Sequence, residues 1–147
     1  MGKIVVKFGG SSLADAAQFR KVRDIIRMDP RRCYVVPSAP GRRFPEDEKI
    51  TDLLYQTYRA QRNGENIEPI FRRVRERYLS IAEELGLSFP IARELDEVEQ
   101  LIREGASEDF CASRGEYLNG LLLADYLGFA FLDPKDLVFF NDDGTFD

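Results

Sequence analysis

The fold is decided by the stretch Lys3-Ile4-Val5-Val6-Lys7-Phe8-Gly9-Gly10-Ser11-Ser12 near the start of the chain. A short run rich in β-branched residues ends abruptly in glycines and serines, which predicts a buried strand that enters a tight loop. A helical pattern follows from Leu13 to Met28, where Asp29-Pro30 stops it, and Cys33 to Pro37 predicts a second strand. Strand, loop, helix and strand make the βαβ unit of a parallel sheet, so the sequence predicts the α/β class.

The middle of the chain is predicted to be mainly helical. Residues 38–49 are polar, with prolines and mixed charges, and predict a mobile surface loop whose composition suits a lid. Helices are expected over residues 51–61, 67–85 and 90–102, and a further helix or a bent pair of helices over residues 107–127, each followed closely by a glycine. One arginine cluster is expected on the solvated face of its helix: Arg72, Arg73, Arg75 and Arg77.

The end of the chain returns to a β pattern. Residues 129–132 and 138–140 are predicted strands, separated by a helical turn at Asp133-Pro134. Residues 141–144 are typical of a hairpin turn. Because the chain stops at Asp147, just after this turn, we expect that the strand to which the turn leads is missing.

The composition restricts the function classes. The chain has 147 residues, of which 44% are hydrophobic and 32% charged with both signs interspersed, and its net charge is -5. This balance predicts one globular domain without a basic face for nucleic acid or an anionic membrane. The apolar stretches are too short to span a bilayer and the start does not resemble a signal peptide, so the cytoplasm is the expected compartment.

The absence of histidine narrows the chemistry further. It excludes Ser-His and Cys-His nucleophile pairs, and the only two cysteines, Cys33 and Cys111, do not form a zinc or disulfide pattern. Both are expected to be buried thiols, and no metal-ligating residue is predicted. Phosphoryl transfer remains possible, because it depends on positioning and on cationic stabilisation of phosphate oxygens more than on acid–base groups.

The first candidate site is the loop after the first strand. Gly9 and Gly10 let backbone N–H groups approach an anion beside a helix N-terminus, and Lys7 ends the strand with its ammonium toward the loop. The spacing matches neither a Walker A loop nor a dinucleotide fingerprint. On these residues alone, a glycine turn that only joins strand to helix remains an open alternative.

A second set of candidates lies around the later helices. Ser113-Arg114-Gly115-Glu116 precedes an apolar run, which places it in the first turns of a helix. Glu116 is then either a capping-box partner of Ser113 or a carboxylate that receives the ammonium of an amino-acid substrate. Ser38 and Thr51 flank the charged loop and can orient a polar ligand, although Thr51 also fits a helix cap.

Three segments together resemble aspartate kinase, and the resemblance extends over nearly the whole chain. The segments are Lys7-Phe8-Gly9-Gly10-Ser11-Ser12, then Ser38-Ala39-Pro40-Gly41 with Lys49-Ile50-Thr51-Asp52-Leu53-Leu54, and Ser113-Arg114-Gly115-Glu116. The resemblance implies the amino acid kinase fold, an αβα sandwich around a mainly parallel sheet. It also implies ATP-dependent phosphorylation of the L-aspartate side-chain carboxylate to 4-phospho-L-aspartate, in lysine, threonine and methionine biosynthesis.

The resemblance also implies roles for single residues. Lys7 would be catalytic, since its charge balances that of the transferred phosphoryl group. The residues that it assigns to the ATP phosphates are Lys7, Gly9, Gly10 and Ser11. Thr51 and Glu116 would hold L-aspartate, Glu116 through the α-ammonium group, and Mg²⁺ would arrive with the nucleotide.

By the same resemblance, residues 1–147 are expected to be the amino-terminal, amino-acid-binding part of a truncated kinase domain. The nucleotide-binding half, with its Gly-Arg-Gly-Gly-Ser-Asp-type segment, and the ACT domains fall outside this sequence. We therefore expect little or no kinase activity from these residues alone. The full-length enzyme is expected to be a homo-oligomer.

Two alternatives stay open. Glutamate 5-kinase, acetylglutamate kinase and uridylate kinase could share the glycine loop and the βαβ start, although the segment 113–116 favours aspartate kinase. In a different class, the chain could be a non-catalytic binding or assembly module that pairs through exposed sheet edges.

Overall fold

A computed structural model describes residues 2–146 and contains a small parallel sheet. Strands β1 (Ile4–Phe8) and β2 (Arg32–Pro37) pair in parallel, and helix α1 (Ala16–Arg27) connects them. The predicted βαβ unit and α/β class are confirmed. Alternate side chains of β1 face the helices, whereas Val5, on the other face, is 66% exposed.

The connection from β1 to α1 differs from the prediction of one helix that begins at Leu13. Residues Gly10–Leu13 form a 3₁₀ turn, and α1 begins only at Ala16. The Asp15 carboxylate caps α1 by accepting a hydrogen bond from the Gln18 backbone N–H at 3.0 Å. The side chain of Leu13 is fully buried from the 3₁₀ turn, which explains why it fitted the apolar pattern of the helix.

Four further helices form the body of the molecule: α2 (Ile50–Arg62), α3 (Glu68–Glu84), α4 (Ile91–Arg103) and α5 (Glu108–Leu127). They confirm the predicted helical segments. Helix α5 is central, since it contacts α2, α3, α4 and β2, and it therefore carries buried residues on several sides rather than on one stripe. No helix within residues 2–146 combines the length and the hydrophobicity needed to cross a bilayer.

The segment that follows α5 does not form the predicted strand at residues 129–132. Its Phe131 ring packs instead on α5, edge-on to Tyr117 at 5.7 Å between ring centroids and directly over Gly120. Without a hydrogen-bonding neighbour, an extended segment does not become a strand. The second prediction, at residues 138–140, is reduced to one antiparallel bridge between Phe140 and Phe146, around the predicted turn.

Candidate functional site

The site is built where the two parallel strands end, because their carboxyl ends lie at the same edge of the sheet. The Ser38 N–H donates to the Phe8 carbonyl oxygen at 3.0 Å, which continues the pairing beyond β2. Immediately after it, the Gly41 N–H donates to the Gly10 carbonyl oxygen at 2.8 Å. These two bonds join the glycine loop to the segment 38–41.

The two adjacent glycines of the loop have different surroundings. A β-carbon on Gly10 would lie 3.0 Å from the Ala39 carbonyl oxygen, and one on Gly41 would lie 2.7 Å from the Gly10 carbonyl carbon. A β-carbon on Gly9 would meet no atom within 4 Å. The pair Gly10 and Gly41 is therefore required by close backbone packing, whereas Gly9 borders open space.

The helix that was expected to follow the glycine loop directly does not do so. The loop enters the 3₁₀ turn, and the first N–H groups of α1 lie beyond Asp15, whose carboxylate already occupies one of them. An anion at Gly9 would thus meet the N–H groups of the loop and turn rather than the N-terminus of α1. Lys7 and Ser11 are both exposed at this edge, and Lys7 pairs with Val36 in the sheet.

Thr51 lies beside the same loops but is not a helix cap. It is the second residue of α2, and Lys49 occupies the cap position without a side-chain hydrogen bond. The Ile50 N–H donates to the Pro40 carbonyl oxygen at 3.1 Å, so the start of α2 is tied to the segment 38–41. The half-buried Thr51 side chain is left without the capping role that its sequence pattern suggested.

Glu116 lies within a helix and not at its start, so the capping-box interpretation is wrong. Helix α5 begins at Glu108, and the Ser107 hydroxyl is its cap, accepting from the Phe110 N–H at 3.2 Å. Ser113 is already helical, and its hydroxyl donates to the Phe110 carbonyl oxygen at 2.7 Å. Glu116 is exposed and free of any capping function.

Glu116 is held near the segment 38–41 by the packing of the helix backbone beside it. Its neighbour Gly115 is buried, and a β-carbon there would lie 2.7 Å from the β-carbon of Ala39. The Tyr78 hydroxyl donates to the Gly115 carbonyl oxygen at 2.7 Å. Burial raises the pKa of Tyr78 well above its usual value, and the nearby Glu116 carboxylate raises this pKa further.

Two further buried side chains hold the site, and both were missed in the sequence. Asn119 is fully buried and donates from Nδ2 to the Ser38 carbonyl oxygen at 2.7 Å. Arg77 is only 4% exposed, which contradicts its expected place on a solvated face. A polar residue inside the apolar run of α5 was the signal for Asn119.

The charged loop is anchored at both ends, and only residues 42–46 form the exposed surface loop that was expected. Ala39, Pro40 and Gly41 are buried. At the other end the Asp47 carboxylate accepts hydrogen bonds from Arg43 and Arg77, each at 2.7 Å to Oδ2. The hydrogen bond from Arg43 is the main reason why the pKa of Asp47 lies far below its ordinary value.

The sequence is similar to those of known proteins. The sequence model of the amino acid kinase family matches residues 2–144. The chain belongs to the amino acid kinase family. Aspartokinase 3 of Bacillus subtilis is 38% identical over an alignment of 143 residues, and the match covers 90% of this chain and 32% of that protein.

Solved structures of this family carry the same fold. The crystal structure of Clostridium acetobutylicum aspartate kinase is 48% identical, with a TM-score of 0.97 over 100% of this chain and 34% of that one. Escherichia coli aspartokinase III, in complex with aspartate and ADP, is 27% identical, with a TM-score of 0.68 over 86% of this chain and 29% of that one. The chain spans about a third of the length of these relatives.

Beside β2, this amino acid kinase chain has a wide apolar groove of about 980 Å³. Its walls are residues 33–37 of β2, side chains of α5 between Ser113 and Leu127, and residues 129–135. Cys33 lies on this side and is exposed, so the expectation of two buried thiols is wrong for Cys33 and confirmed for Cys111. The reason is that Cys33 lines this open groove.

The depressed pKa of Asp47 predicts a dependence of stability on pH. The folded-state pKa of Asp47 is depressed, so its ionised carboxylate stabilises the folded chain. This stabilisation is fully present above the unfolded-state pKa of about 3.9 and is lost as the pH falls through the folded-state pKa. We expect Asp47→Asn to be less stable than the original chain at about pH 6, and the difference to shrink toward about pH 2.

Urea unfolding at both pH values measures this difference. Asp125→Asn, at an exposed position of α5, is the control and should change the free energy of unfolding by less than about 0.5 kcal/mol at either pH. A stability difference for Asp47→Asn that stays constant or grows on acidification would contradict the claim that the ionised Asp47 carboxylate stabilises the fold.

Proposed function

We propose that this chain forms the phosphate loop and the amino-acid side of the active site of an aspartate kinase. The reaction is ATP-dependent phosphorylation of the L-aspartate side-chain carboxylate to 4-phospho-L-aspartate. One observation carries the proposal. Ala39 is in close contact with both Gly10 and Gly115, so that three segments that are distant in sequence meet at one residue.

The phosphate side of the proposed site is Lys7 with the glycine loop. Lys7 is exposed at the carboxyl end of β1, where its ammonium would offset charge on the transferred phosphoryl group. The open space at Gly9 admits a phosphate close to the backbone, and Gly10 and Ser11 would supply N–H groups from the first turn that follows. Gly10 has a second role in packing against Gly41.

The amino-acid side is Thr51 with Glu116. Glu116 is an exposed carboxylate beside the tightly packed Gly115, and it would bind the α-ammonium of L-aspartate. Thr51 at the start of α2 would donate its hydroxyl hydrogen to a substrate carboxylate. Support comes from the similarity to aspartokinase III of Escherichia coli, whose structure contains aspartate and ADP.

The nucleotide would be ATP. The residues proposed above for the phosphate side of the site would contact its phosphate groups. Among residues 2–146 no group of three carboxylate, thiol or imidazole side chains could hold a metal ion. Mg²⁺ would come with the nucleotide and would offset charge that develops during transfer. The residues that would contact the adenine ring lie elsewhere in the proposed parent enzyme.

The proposal includes the setting of the site. Residues 1–147 would be the amino-terminal part of the catalytic domain of a cytoplasmic homo-oligomer that acts in lysine, threonine and methionine biosynthesis. This chain covers about a third of the length of its relatives. Its candidate site would form one side of the active site and is open to solvent on the other. We expect residues 1–147 alone to bind L-aspartate but to release ADP at a rate near background.

Two assays on the 147-residue chain test the proposal. Calorimetric titration should detect binding of L-aspartate and much weaker binding of L-glutamate, N-acetyl-L-glutamate and uridylate. A coupled assay of ADP release should show almost no aspartate-dependent turnover. Preferential binding of one of the other three ligands would reject aspartate as the substrate, and turnover typical of kinases, about 1–100 per second, would contradict the expected inactivity.

A second candidate function is that of an assembly module. The apolar groove beside β2 favours it, because exposed strand edges and apolar grooves are surfaces that other chains can cover. Light scattering at rising protein concentration tests this function. A strictly monomeric, folded chain would exclude self-assembly through the groove.

A further inference from the structure

One arginine joins three parts of the candidate site. The guanidinium group of Arg77 on α3 donates from Nη1 to the carbonyl oxygens of Ala14, at 3.1 Å, and Gly41, at 2.7 Å. From Nη2 it donates to Asp47 Oδ2, at 2.7 Å, and to the Glu48 carbonyl oxygen, at 3.0 Å. A single buried side chain thus holds the start of α1 and both ends of the charged loop.

Burial of the charged Arg77 side chain is energetically unfavourable, so a function for it has to be sought. Burial lowers the pKa of its guanidinium group, which means that the surroundings disfavour the charge, although Asp47 partly offsets this effect. A buried ion pair is rarely the most stable solution for a core, since apolar residues of similar volume often do as well or better. Arginine offers something that they do not: several donors in a fixed plane, which set the geometry of the backbone segments around it.

The segments that Arg77 fixes are those that contact the proposed substrate site. Gly41 bonds to Gly10 in the glycine loop, and Glu48 stands two residues before Ile50, where α2 begins. Within the loop, Asp47 also binds Arg43 through its side chain and Arg42 through its carbonyl oxygen. The loop is therefore cross-linked to the rest of the site instead of being a free lid.

We propose that Arg77 is a positioning residue for the amino-acid substrate. It holds the segment 41–48 against the start of α1, so that Thr51 stays at a fixed distance from the glycine loop. The identity of the substrate in this inference rests on the proposed function, whereas the inference that Arg77 fixes the loop does not depend on it. Arg77 does not contact the reacting groups itself.

Limited proteolysis tests whether the loop is fixed. Trypsin cleaves after Arg42 and Arg43, both exposed in the loop. In Arg77→Met, under conditions where circular dichroism shows a folded chain, cleavage at these two bonds should be at least about tenfold faster than in the original chain. Arg72→Met is the matched control, since Arg72 is on the same helix but exposed and paired with Glu68, and it should leave the rate unchanged.

A milder variant guards against a failure to fold. Asp47→Ala removes one partner of Arg77, together with the hydrogen bonds that Arg43 donates to this carboxylate, but leaves the three carbonyl acceptors of Arg77 in place. It should raise the loop cleavage by about three- to tenfold, and saturating L-aspartate should slow this cleavage again because a bound ligand stabilises the fixed conformation of the loop. Folded variants of Arg77 and Asp47 whose loops are cleaved at the original rate would overturn the proposal.

Measurements of L-aspartate affinity distinguish a residue that positions the substrate site from one that only stabilises the fold. L-aspartate, titrated calorimetrically into the folded variants, should bind about tenfold more weakly to Arg77→Met and with unchanged affinity to Arg72→Met. Faster loop cleavage with unchanged aspartate affinity would overturn the positioning role. If the original chain does not bind aspartate, the proposed function fails, and the cleavage ratio still decides whether Arg77 holds the loop.

Discussion

Gly41→Ala should lower the free energy of unfolding by about 1–3 kcal/mol, the range for added volume in a packed interior. The new β-carbon would lie 2.7 Å from the Gly10 carbonyl carbon and 2.9 Å from the Ser11 nitrogen. Both are backbone atoms, which cannot rotate away as the end of a flexible side chain can. The glycine loop and the segment 38–41 must therefore separate, which also strains the bond from Arg77 to the Gly41 carbonyl oxygen.

The matched control is Gly9→Ala. Its β-carbon would meet no atom within 4 Å, and its φ of -75° suits any residue, so the free energy of unfolding should change by less than about 0.5 kcal/mol. Urea unfolding of both variants gives the comparison. Equal stability losses would contradict the account, because they would mean that Gly41 is no more tightly packed than Gly9.

Glu116→Gln should weaken the binding of L-aspartate by about 10- to 100-fold, which corresponds to the loss of one charge-assisted hydrogen bond. The substitution keeps the size of the side chain and removes its charge. Because Glu116 is exposed and neither caps a helix nor forms an ion pair within residues 2–146, the fold should be unaffected. A loss of affinity can then be assigned to the contact with the α-ammonium group.

Glu108→Gln is the control for this effect. Glu108 is exposed on the same helix, two turns before Glu116, and the same chemical change there should leave the affinity within about twofold. Calorimetric titration of the two variants measures both affinities. Equal affinities for the original chain and Glu116→Gln would remove Glu116 from the proposed site.

Local patterns predicted the βαβ start and the helices, because these elements depend on periodicity and on turn residues close in sequence. The boundaries were less certain where two signals competed. Ser113 and Glu116 have the spacing of a capping box, yet the true cap is Ser107, followed by Glu108 and Asp109 in an acidic first turn. Both signals were present in the sequence, and only the packing of α5 decided between them.

Long-range contacts explain what the sequence did not predict. Arg77 follows Phe71 and Val74 at helical spacing, so it lies on the buried stripe of α3, but its charge suggested a solvated face. Its partners are the Asp47 carboxylate and backbone carbonyl groups up to 63 residues away, which no local pattern indicates. The segment 129–132 has the composition of a strand, and it lacks a strand partner among residues 2–146.

The most direct test of the central claim is a titration of the ¹⁵N-labelled chain with L-aspartate, followed by NMR spectra of the backbone amides. We predict that the amides that shift cluster in three segments, residues 9–11, 38–41 with Thr51, and 115–117, and that all follow one binding curve. The response to L-glutamate should be much weaker. No response to L-aspartate, or shifts confined to residues outside these segments, would contradict the claim that they form one amino-acid and phosphate site.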